Sequence, residues 1–585
     1  MKLGIQFISF LEKFAFTLCT LGLIGIIVDF GFHQKPQVIS LLALFYLSVL
    51  SINIFASIAR YFHPDKKKHI SAIIFDVFIL LFSLWVIYHH FENTKTFNFY
   101  DIFYDDVWLR VTVALTFVRN FSELRFNYRT SFMNPAQLLV SSFLVMILIG
   151  TVLLMLPTAT YESISFIDAL FTATSAVCIT GLVVVDTATY FTEIGQIIIM
   201  ILMQIGGLGI LTFASYFSYF FKGGSSYDNQ MALTNVSYSQ KLGEVYSTIK
   251  NVFIITFTVE AFCGIMIYFS IPNELYSEFG DKLFFSIFHS ISAFCQAGFS
   301  TATDGFFNDY IRFNYGLVFV VWMTFFLGGL GFPIVSNIVG YAKYYLVRLF
   351  SKLRSKEYYR PWVFNLNSRI NIITTSAITL VAVTAFYILE YNNTLSEHSG
   401  LGKLVIALFS SSTPRSAGLN VVDTPLIGFP TIMLIFLLMW IGASPASTGG
   451  GIKTSTFAIA TLNIFSLARG KNKIEIYRRE IADISVRRAF ATISLSLIAM
   501  GFAVILLTYT DSDKDLLSIA FEVFSAYGTV GLSLGITGEL SELGKLIISA
   551  TMFIGRLTLL TVIIAFFKKV KQIQYKYPTE EITIN

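Results

Sequence analysis

Residues 171–182 read Phe-Thr-Ala-Thr-Ser-Ala-Val-Cys-Ile-Thr-Gly-Leu, and segments of the same design recur three more times along the chain. Each segment has an apolar residue ten positions before a glycine, small hydroxyl residues between them, and Leu or Phe directly after the glycine. The four glycines are Gly181, Gly298, Gly418 and Gly531, which stand 117, 120 and 113 residues apart. Repetition at a nearly constant period indicates one structural unit that is used several times. The pattern therefore predicts a fourfold internal repeat.

A second glycine follows each of these 24 to 30 residues later, and we place it in an apolar helix: Gly206, Gly328, Gly442 and Gly555. Each repeat then comprises an outer span, a half-helix of about ten residues, a glycine turn and an inner span. A half-helix of this length cannot cross a bilayer, and irregular backbone is tolerated there only when it lines a cavity or is buried in protein. Four such turns around one axis would direct backbone carbonyl groups at a common cation path, as in a potassium-selective filter.

The composition agrees with a membrane protein. Of 585 residues, 55% are hydrophobic and only 13% are charged, whereas soluble domains carry about 25% charged residues. This excludes a soluble enzyme, a disordered chain and a nucleic-acid-binding protein with a basic face. The 60 Phe and 29 Tyr suit lipid-facing and interfacial positions. The four cysteines lack metal-ligand spacing, so we expect neither a zinc site nor a disulfide framework.

Hydropathy predicts an all-α chain with twelve spans and no cleavable signal peptide. The spans are expected at 14–32, 37–61, 69–90, 106–124, 136–156, 195–220, 251–271, 315–340, 370–391, 430–466, 488–509 and 541–566. Every basic cluster, such as Lys66-Lys67-Lys68 or Lys568-Lys569, follows an even-numbered span. Because short cytoplasmic loops are enriched in Lys and Arg, both termini are expected in the cytoplasm.

The predicted organisation is an N-terminal helical bundle, then four pore repeats around a pseudo-fourfold axis, then a short tail. The boundaries are 1–130 for the bundle, 136–235, 236–345, 365–475 and 485–575 for the repeats, and 576–585 for a cytoplasmic tail.

At the glycine segments the sequence resembles the superfamily of TrkH and KtrB potassium-uptake proteins, over residues 136–566. Residues 174–186 resemble the family's first filter, and Gln204-Ile-Gly-Gly-Leu-Gly209 resembles the inner helix that follows it. Residues 415–420 and 527–533 resemble filters three and four. The segment Gly442-Ala-Ser-Pro-Ala-Ser-Thr-Gly-Gly-Gly-Ile-Lys453 is similar to the family's intramembrane gating loop.

The resemblance implies that potassium, the substrate, binds backbone carbonyls of four filter segments. They are Ile179, Thr180 and Gly181; Gln296, Ala297 and Gly298; Ser416, Ala417 and Gly418; and Thr529, Val530 and Gly531. Potassium-preferring members have glycine at all four filter positions, as here, whereas sodium-preferring relatives often carry Ser at the first. Filter two departs from the family, because Cys295-Gln296 stands where two Asn are common. The Gly-Pro that commonly follows Arg556 in KtrB proteins is absent, which favours the TrkH branch.

The resemblance also implies a gate at the glycine-rich loop. Its predicted residues are Gly442, Gly449, Gly450, Gly451, Lys453 and Arg556, with Arg556 facing the loop and Lys453 lying near the cytoplasmic side. The other interpretations are a kink that relieves packing for the loop and a side chain reaching the membrane interface for Arg556. Arg415 is expected to brace the backbone of filter three near the outer surface. Glu260 and Glu522 either attract cations or pair with hydroxyl groups, and His289 is expected to make a hydrogen bond within its half-helix.

Residues 1–130 lie outside the resemblance. Arg110, Arg119 and Arg125 share a three-residue register, which is compatible with a degenerate voltage sensor. An accessory packing or dimer surface is the other interpretation.

The sequence contains no His-Glu-x-x-His motif, no paired Asp signature and no P-loop Gly-Lys-Ser/Thr. We therefore expect no enzymatic activity and no cofactor within this chain. The resemblance implies a homodimer in the bacterial inner membrane and a cytosolic TrkA/KtrA-type nucleotide-binding regulatory subunit. The alternative function is a sodium-translocating or sodium-coupled cation transporter subunit of the same superfamily.

Overall fold

A computed structural model describes residues 2–32, 34–61, 70–93, 107–121, 135–209, 245–272, 276, 278–353, 365–471 and 473–567. Several predicted features lie outside these ranges: the basic run 66–68, Arg125, the second half of the span 195–220, the basic residues 568–571 and the tail 576–585. Within the described ranges the chain is predominantly helical, as predicted. The described strands form a short antiparallel hairpin of β1 (Glu475–Ile476) and β2 (Arg479–Glu480), in which Ile476 pairs with Arg479.

The N-terminal region forms a helical bundle of α1 (Lys2–Gly31), α2 (Pro36–Arg60), α3 (Ile70–Asn93) and α4 (Val107–Phe121). The fourth helix packs against the other three, around a core that includes Cys19, Tyr46, Leu50 and Val113. The bundle meets the remainder of the chain where Thr158 donates hydrogen bonds from its hydroxyl to the Phe30 carbonyl and from its amide to the Gly31 carbonyl.

Four repeats of outer helix, pore helix and inner helix follow the bundle. The outer helices are Pro135–Leu154, Val245–Ser270, Leu366–Glu390 and Asp483–Thr510. The pore helices are Phe166–Cys178, Phe279–Cys295, Leu401–Ser412 and Leu516–Gly528. The inner helices begin as Glu193–Leu208, Tyr315–Leu330, Phe429–Trp440 and Glu542–Leu557. The pore helices have 13, 17, 12 and 13 residues, somewhat longer than the predicted ten.

Shorter elements complete the repeats. Single helical turns lie between filters and inner helices at Thr187–Tyr190, Gly305–Phe307, Asp309–Arg312, Thr424–Leu426 and Thr537–Glu539. Three inner helices resume after a break, as Phe332–Leu353, Thr454–Ala468 and Leu559–Phe566. Polar side chains set the starts of several helices: Ser165 caps the first pore helix by accepting from the Asp168 amide, and Ser541 caps the fourth inner helix by accepting from the Gly544 amide.

The helices in the predicted spans 315–340 and 541–566 are broken. The helices bend by 105° after Leu330 and by 89° after Leu557. Gly331 has a φ of 87° and Thr558 a φ of 66°, and a positive φ ends an α-helix. Within the described part of the chain, seven helices are long and apolar enough to cross a membrane, and each bent pair could make one further span.

The core surrounds the pore helices. Phe171, Phe288 and Phe521, the apolar residues ten positions before their glycines, are completely buried. In repeat three the buried ring belongs to Phe409, one residue later than the pattern indicates. These rings fix each pore helix between its neighbours, and the glycine turns that follow therefore start from fixed points.

Candidate functional site

The four glycine turns meet at one place. Gly181 lies against the backbone of Ala297 and Gly298, Gly298 against Ala417 and Gly418, Gly418 against Val530, and Gly531 against Thr180 and Gly181. The contacts close a ring in the order one, two, three, four, so repeats two and four lie on opposite sides of it. A Cβ atom at Gly181 or Gly531 would overlap a neighbouring carbonyl oxygen. The ring therefore requires glycine for close backbone approach as well as for conformation.

Every turn has the same backbone pattern. The glycines have φ values of 86°, 73°, 72° and 94°. The residues two positions earlier, Ile179, Gln296, Ser416 and Thr529, also have positive φ values, of 59°, 60°, 82° and 48°. The residue between them has a negative φ in every repeat, so positive and negative φ values alternate along each turn. The arrangement can present several carbonyl oxygens to one cation.

Hydroxyl groups behind the turns hold this backbone in place, a role that we did not predict for them. Ser175 accepts a hydrogen bond from the Gly181 amide at 3.0 Å, and Ser525 accepts one from the Gly531 amide at 3.1 Å. Ser292 and Thr413 each donate to the carbonyl after their glycine, at 2.7 Å. The signal was present in the sequence, because each repeat has a hydroxyl residue five or six positions before its glycine.

The loop 441–453 lies directly against the filter. Gly449 is so close to the side chains of Gln296 and Ser416 that a Cβ atom on it would stand 2.5 Å from Gln296 Oε1 and 2.9 Å from Ser416 Cβ. The Gly450 amide donates to Ser416 Oγ at 3.1 Å, and a Cβ on Gly450 would overlap the Thr529 side chain. The two glycines thus occupy the space under the first residues of filters two, three and four.

We predicted that Gly442 lies in an apolar helix, and this is wrong. The inner helix of repeat three ends at Trp440, two residues before it. The loop closes on itself through the bridge between Ile441 and Ile452. Its base is tied to the outer helix of repeat three by Thr454, whose hydroxyl donates to Asn371 Oδ1 at 2.8 Å. In the other repeats the corresponding glycine packs on the carbonyl of Val177, Phe294 or Tyr527.

Two predicted gate residues bind backbone carbonyls of the loop. Arg556 donates to the carbonyls of Thr448 in the loop and Gly206 in the first inner helix, the latter at 2.8 Å, so it faces the loop as expected. Lys453 also contacts the loop. Its ammonium donates to the Gly449 carbonyl at 2.5 Å and lies 3.4 Å from the Gly450 carbonyl, because those carbonyls replace part of the water that a charged group loses on burial.

Arg415 also differs from the expectation. Its guanidinium contacts Thr379 Oγ1 at 3.1 Å and the Gly442 carbonyl at 3.4 Å, and its Nε has no partner among the described residues. It therefore braces the start of the loop from within the protein instead of bracing the backbone of filter three near the outer surface.

The other buried polar residues have local partners. Glu522 accepts from Thr537 at 2.5 Å and from Ser533 at 2.8 Å, and Glu260 accepts from Gln204 Nε2 at 3.1 Å. The hydroxyl interpretation thus describes the contacts of Glu522, while Glu260 pairs with an amide. The ring nitrogens of His289 contact the Phe285 carbonyl and Ser300 Oγ, both at 2.9 Å. The expected hydrogen bond within its half-helix is confirmed.

The bundle arginines are paired with acids. Arg119 makes two contacts with the Asp76 carboxylate, at 2.6 and 2.9 Å, and Tyr61 donates to the same carboxylate at 2.9 Å. Arg110 pairs with Asp29 at 2.8 Å near the other end of α4. Arg125 lies outside the described residues, so the predicted three-arginine register is only partly represented.

The comparisons with known proteins agree with this geometry. The family model described as "TrkH: Cation transport protein" matches residues 102–576. The chain is 36% identical over 452 residues to the Ktr system potassium uptake protein B of Bacillus subtilis, covering 77% of this chain and 96% of that protein. It is 33% identical to the potassium/sodium uptake protein NtpJ of Enterococcus hirae, covering 77% of this chain and 97% of that protein.

A solved structure and a further relative extend the comparison. The crystal structure of the potassium transporter TrkH from Vibrio parahaemolyticus matches with a TM-score of 0.59 at 18% identity, over 85% of this chain and 98% of that one. This likeness shows the shared fold. Identity to TrkG of the Escherichia coli Trk system is 25%, over 69% of this chain and 79% of TrkG. Sequence identity is thus higher to the Ktr protein than to TrkG. The residues after Arg556, by contrast, favour the TrkH branch.

Proposed function

The chain belongs to the TrkH family of cation transport proteins, and from that membership we propose that it takes up potassium as the pore-forming subunit of a Trk/Ktr-type system. Relatives named as Ktr potassium uptake proteins are 33–36% identical along nearly their whole length. The single observation that best supports an ion path is the closed ring of four glycine turns with alternating backbone hand. Such a ring can replace the hydration shell of a cation with carbonyl oxygens.

Potassium is the preferred ion in this proposal, bound by the backbone carbonyls of 179–181, 296–298, 416–418 and 529–531. Glycine at all four filter positions supports that preference. The alternative, a sodium-translocating or sodium-coupled subunit, is favoured by one specific observation, the similarity to a protein named as a potassium/sodium uptake protein. The selectivity experiment below separates the two.

Loop 441–453 is the gate in this proposal. It fills the space under the filter, and two cationic side chains, Arg556 and Lys453, hold its carbonyls. A cytosolic nucleotide-binding subunit of the TrkA/KtrA type would act on it through the helix Thr454–Ala468, which connects the loop to the basic segment 469–479.

Assembly and topology form the remainder of the proposal. The protein is a homodimer in the bacterial inner membrane, with both termini in the cytoplasm. The orientation is supported by positive charge at Arg469, Lys471, Arg478 and Arg479, between the third and fourth repeats. Residues 1–130 are an accessory bundle in this proposal, which is supported by the start of the family match at residue 102, so that most of the bundle precedes it.

The test is the ratio of potassium to sodium flux in liposomes that contain only this protein. Replacing Gly181 by Ser places a side chain against the Ala297 carbonyl at a φ of 86°, and we expect discrimination against sodium to fall by about tenfold, equivalent to about 1.4 kcal/mol. Gly501→Ser is the matched control, because a Cβ atom there meets nothing within 4 Å. An unchanged ratio in a folded Gly181→Ser protein would refute the filter, and a parent ratio that favours sodium would support the alternative.

A further inference from the structure

Two side-chain oxygens beneath the filter lack a hydrogen-bond partner among the residues that the structure describes. They are Gln296 Oε1 and Thr529 Oγ1, which belong to the first residues of filters two and four. Gln296 is 2% exposed and Thr529 is fully buried. Leaving a buried polar atom without a partner costs about 1–3 kcal/mol. The structure offers no compensation for this cost from within the protein, which points to a ligand that binds there in another state.

The orientation of the Gln296 amide follows from its contacts. Its Nε2 atom donates to the Phe325 carbonyl at 3.0 Å. A carbonyl can only accept, so the amide nitrogen must face Phe325 and the amide oxygen must point the other way. The oxygen faces Gly449, where an added Cβ atom would lie 2.5 Å from it.

Thr529 presents its hydroxyl from the opposite side. The side chain lies against Gly450, so closely that a Cβ atom on this glycine would overlap it. Because repeats two and four are diagonal in the glycine ring, the two free oxygens approach the Gly449–Gly450 backbone from opposite sides. In the other two filters the first residue offers no free oxygen: Ile179 is apolar, and the Ser416 hydroxyl donates to the Gly528 carbonyl at 2.9 Å and accepts from Gly450.

We propose that Gln296 Oε1 and Thr529 Oγ1 are the protein ligands of an inner potassium site at the cytoplasmic end of the filter. The backbone of Gly449–Gly450 fills this site while the loop lies under the filter. The inference rests on the proposed function of the filter and the loop.

The ligand class follows from the two oxygens. An amide oxygen only accepts hydrogen bonds, so its complement is a cation or a donor, and neutral oxygens are the ligands that replace the water of an alkali ion. Movement of the loop toward the cytoplasm would withdraw both glycines and leave the two oxygens to a hydrated or partly dehydrated potassium ion.

The inner site is tested by block of potassium flux with barium applied on the cytoplasmic side. Barium is close to potassium in size and carries twice the charge, so it reports on a potassium site without being transported readily. Thr529→Val keeps the shape of the side chain and removes the oxygen, and Gln296→Met removes the amide. We expect each to raise the barium concentration for half-block by about tenfold, while Thr529→Ser restores the parent value. The same ranking is expected in the chain that lacks residues 446–450.

Thr551→Val is the matched control, because Thr551 is a buried threonine of the fourth inner helix whose hydroxyl is already bonded to the Ile547 carbonyl. Should barium block be unchanged in either folded variant, or be weakened equally by Thr551→Val, the inner site is wrong. If Thr529→Val does not fold, Gln296→Met decides. A parent protein without potassium flux would instead overturn the proposed function, so the two failures are distinguishable.

Discussion

Individual filter residues adopt a backbone conformation that their side chains disfavour. Ile179, Gln296 and Thr529 have positive φ values without being glycine, and such residues cost about 1–3 kcal/mol each when held there. The next residue's amide compensates in part by bonding to the pore helix: Thr180 to the Ser175 carbonyl and Val530 to the Ser525 carbonyl, both at 2.8 Å. The backbone of the filter is thus held by hydrogen bonds to the pore helix that precedes it. Replacing these side chains would change the geometry of the filter less than removing those hydrogen bonds.

Arg556 offers a prediction at this scale. Removing its guanidinium by Arg556→Ala leaves the Thr448 and Gly206 carbonyls without this donor. A hydrogen bond to a charged group contributes about 1.5–3 kcal/mol, so basal potassium flux should rise by about tenfold or more. Arg478→Ala, at an exposed arginine in the hairpin of β1 and β2, is the control for loss of positive charge. Unchanged flux in a folded Arg556→Ala protein would show that this arginine does not hold the loop closed.

The sequence predicted some site residues better than others. The four glycines could be predicted from their regular spacing in the sequence. Their spacing is visible because the close backbone approach requires glycine in every repeat. The positive φ of the first residue in each filter could not be predicted from residue type. These residues share no chemical property: they are Ile179, Gln296, Ser416 and Thr529. The hydrogen bonds of Lys453 were not predicted for another reason. Its neighbours in sequence suggest the cytoplasmic side, whereas the partners of its ammonium, the Gly449 and Gly450 carbonyls, are created only by the fold of the loop.

At the scale of elements, the breaks in the inner helices set the shape of the pore. Hydropathy cannot show a break when apolar residues continue on both sides, as at Leu330–Phe332 and Leu557–Leu559. Gly331 gave a local signal for the first break, but Thr558 gave none, because threonine rarely takes a positive φ. The outer and pore helices were predictable, since their lengths and apolar patterns are those of ordinary helices.

The loop gives the prediction for this scale. Removing residues 446–450 deletes the segment that carries Thr448, Gly449 and Gly450, and with it the contacts to Phe294, Ser416 and Arg556. We expect basal potassium flux to increase by at least the factor found for Arg556→Ala, and the response to a regulatory subunit to weaken. A protein of this kind that reaches the membrane and conducts no faster than the parent would identify the loop as a structural kink. Deletion of residues 512–514, in the loop between the outer and pore helices of repeat four, is the control for shortening a chain segment.

At the scale of the whole molecule, the N-terminal bundle is a separate packing unit. Its charged residues pair within it: Arg119 with Asp76, and Arg110 with Asp29. Its described hydrogen bonds to the pore repeats involve Thr158 and the carbonyls at the end of α1. Buried pairs of this kind are strongly destabilised when one partner is removed, by about 3–5 kcal/mol, so they fix the bundle whether or not they respond to voltage.

Deleting residues 1–130 should therefore leave potassium flux per folded protein within about twofold of the parent, while lowering thermal stability through the surface exposed on the first repeat. Flux in liposomes and thermal unfolding measure the two effects separately. Complete loss of flux in well-folded, truncated protein would contradict an accessory role and place part of the conduction machinery in the bundle.

The Lys453 ammonium, bound to loop carbonyls under the filter, has an electrical consequence. With the proposed orientation it lies inside the field of a membrane whose cytoplasmic side is negative, and that field pulls a positive charge away from the filter. A charge that crosses the whole field gains about 2.3 kcal/mol per 100 mV, and the loop would cross a part of it. The potential that drives potassium inward would then also favour opening, whereas a cell that has lost its potential would retain its potassium behind a closed loop.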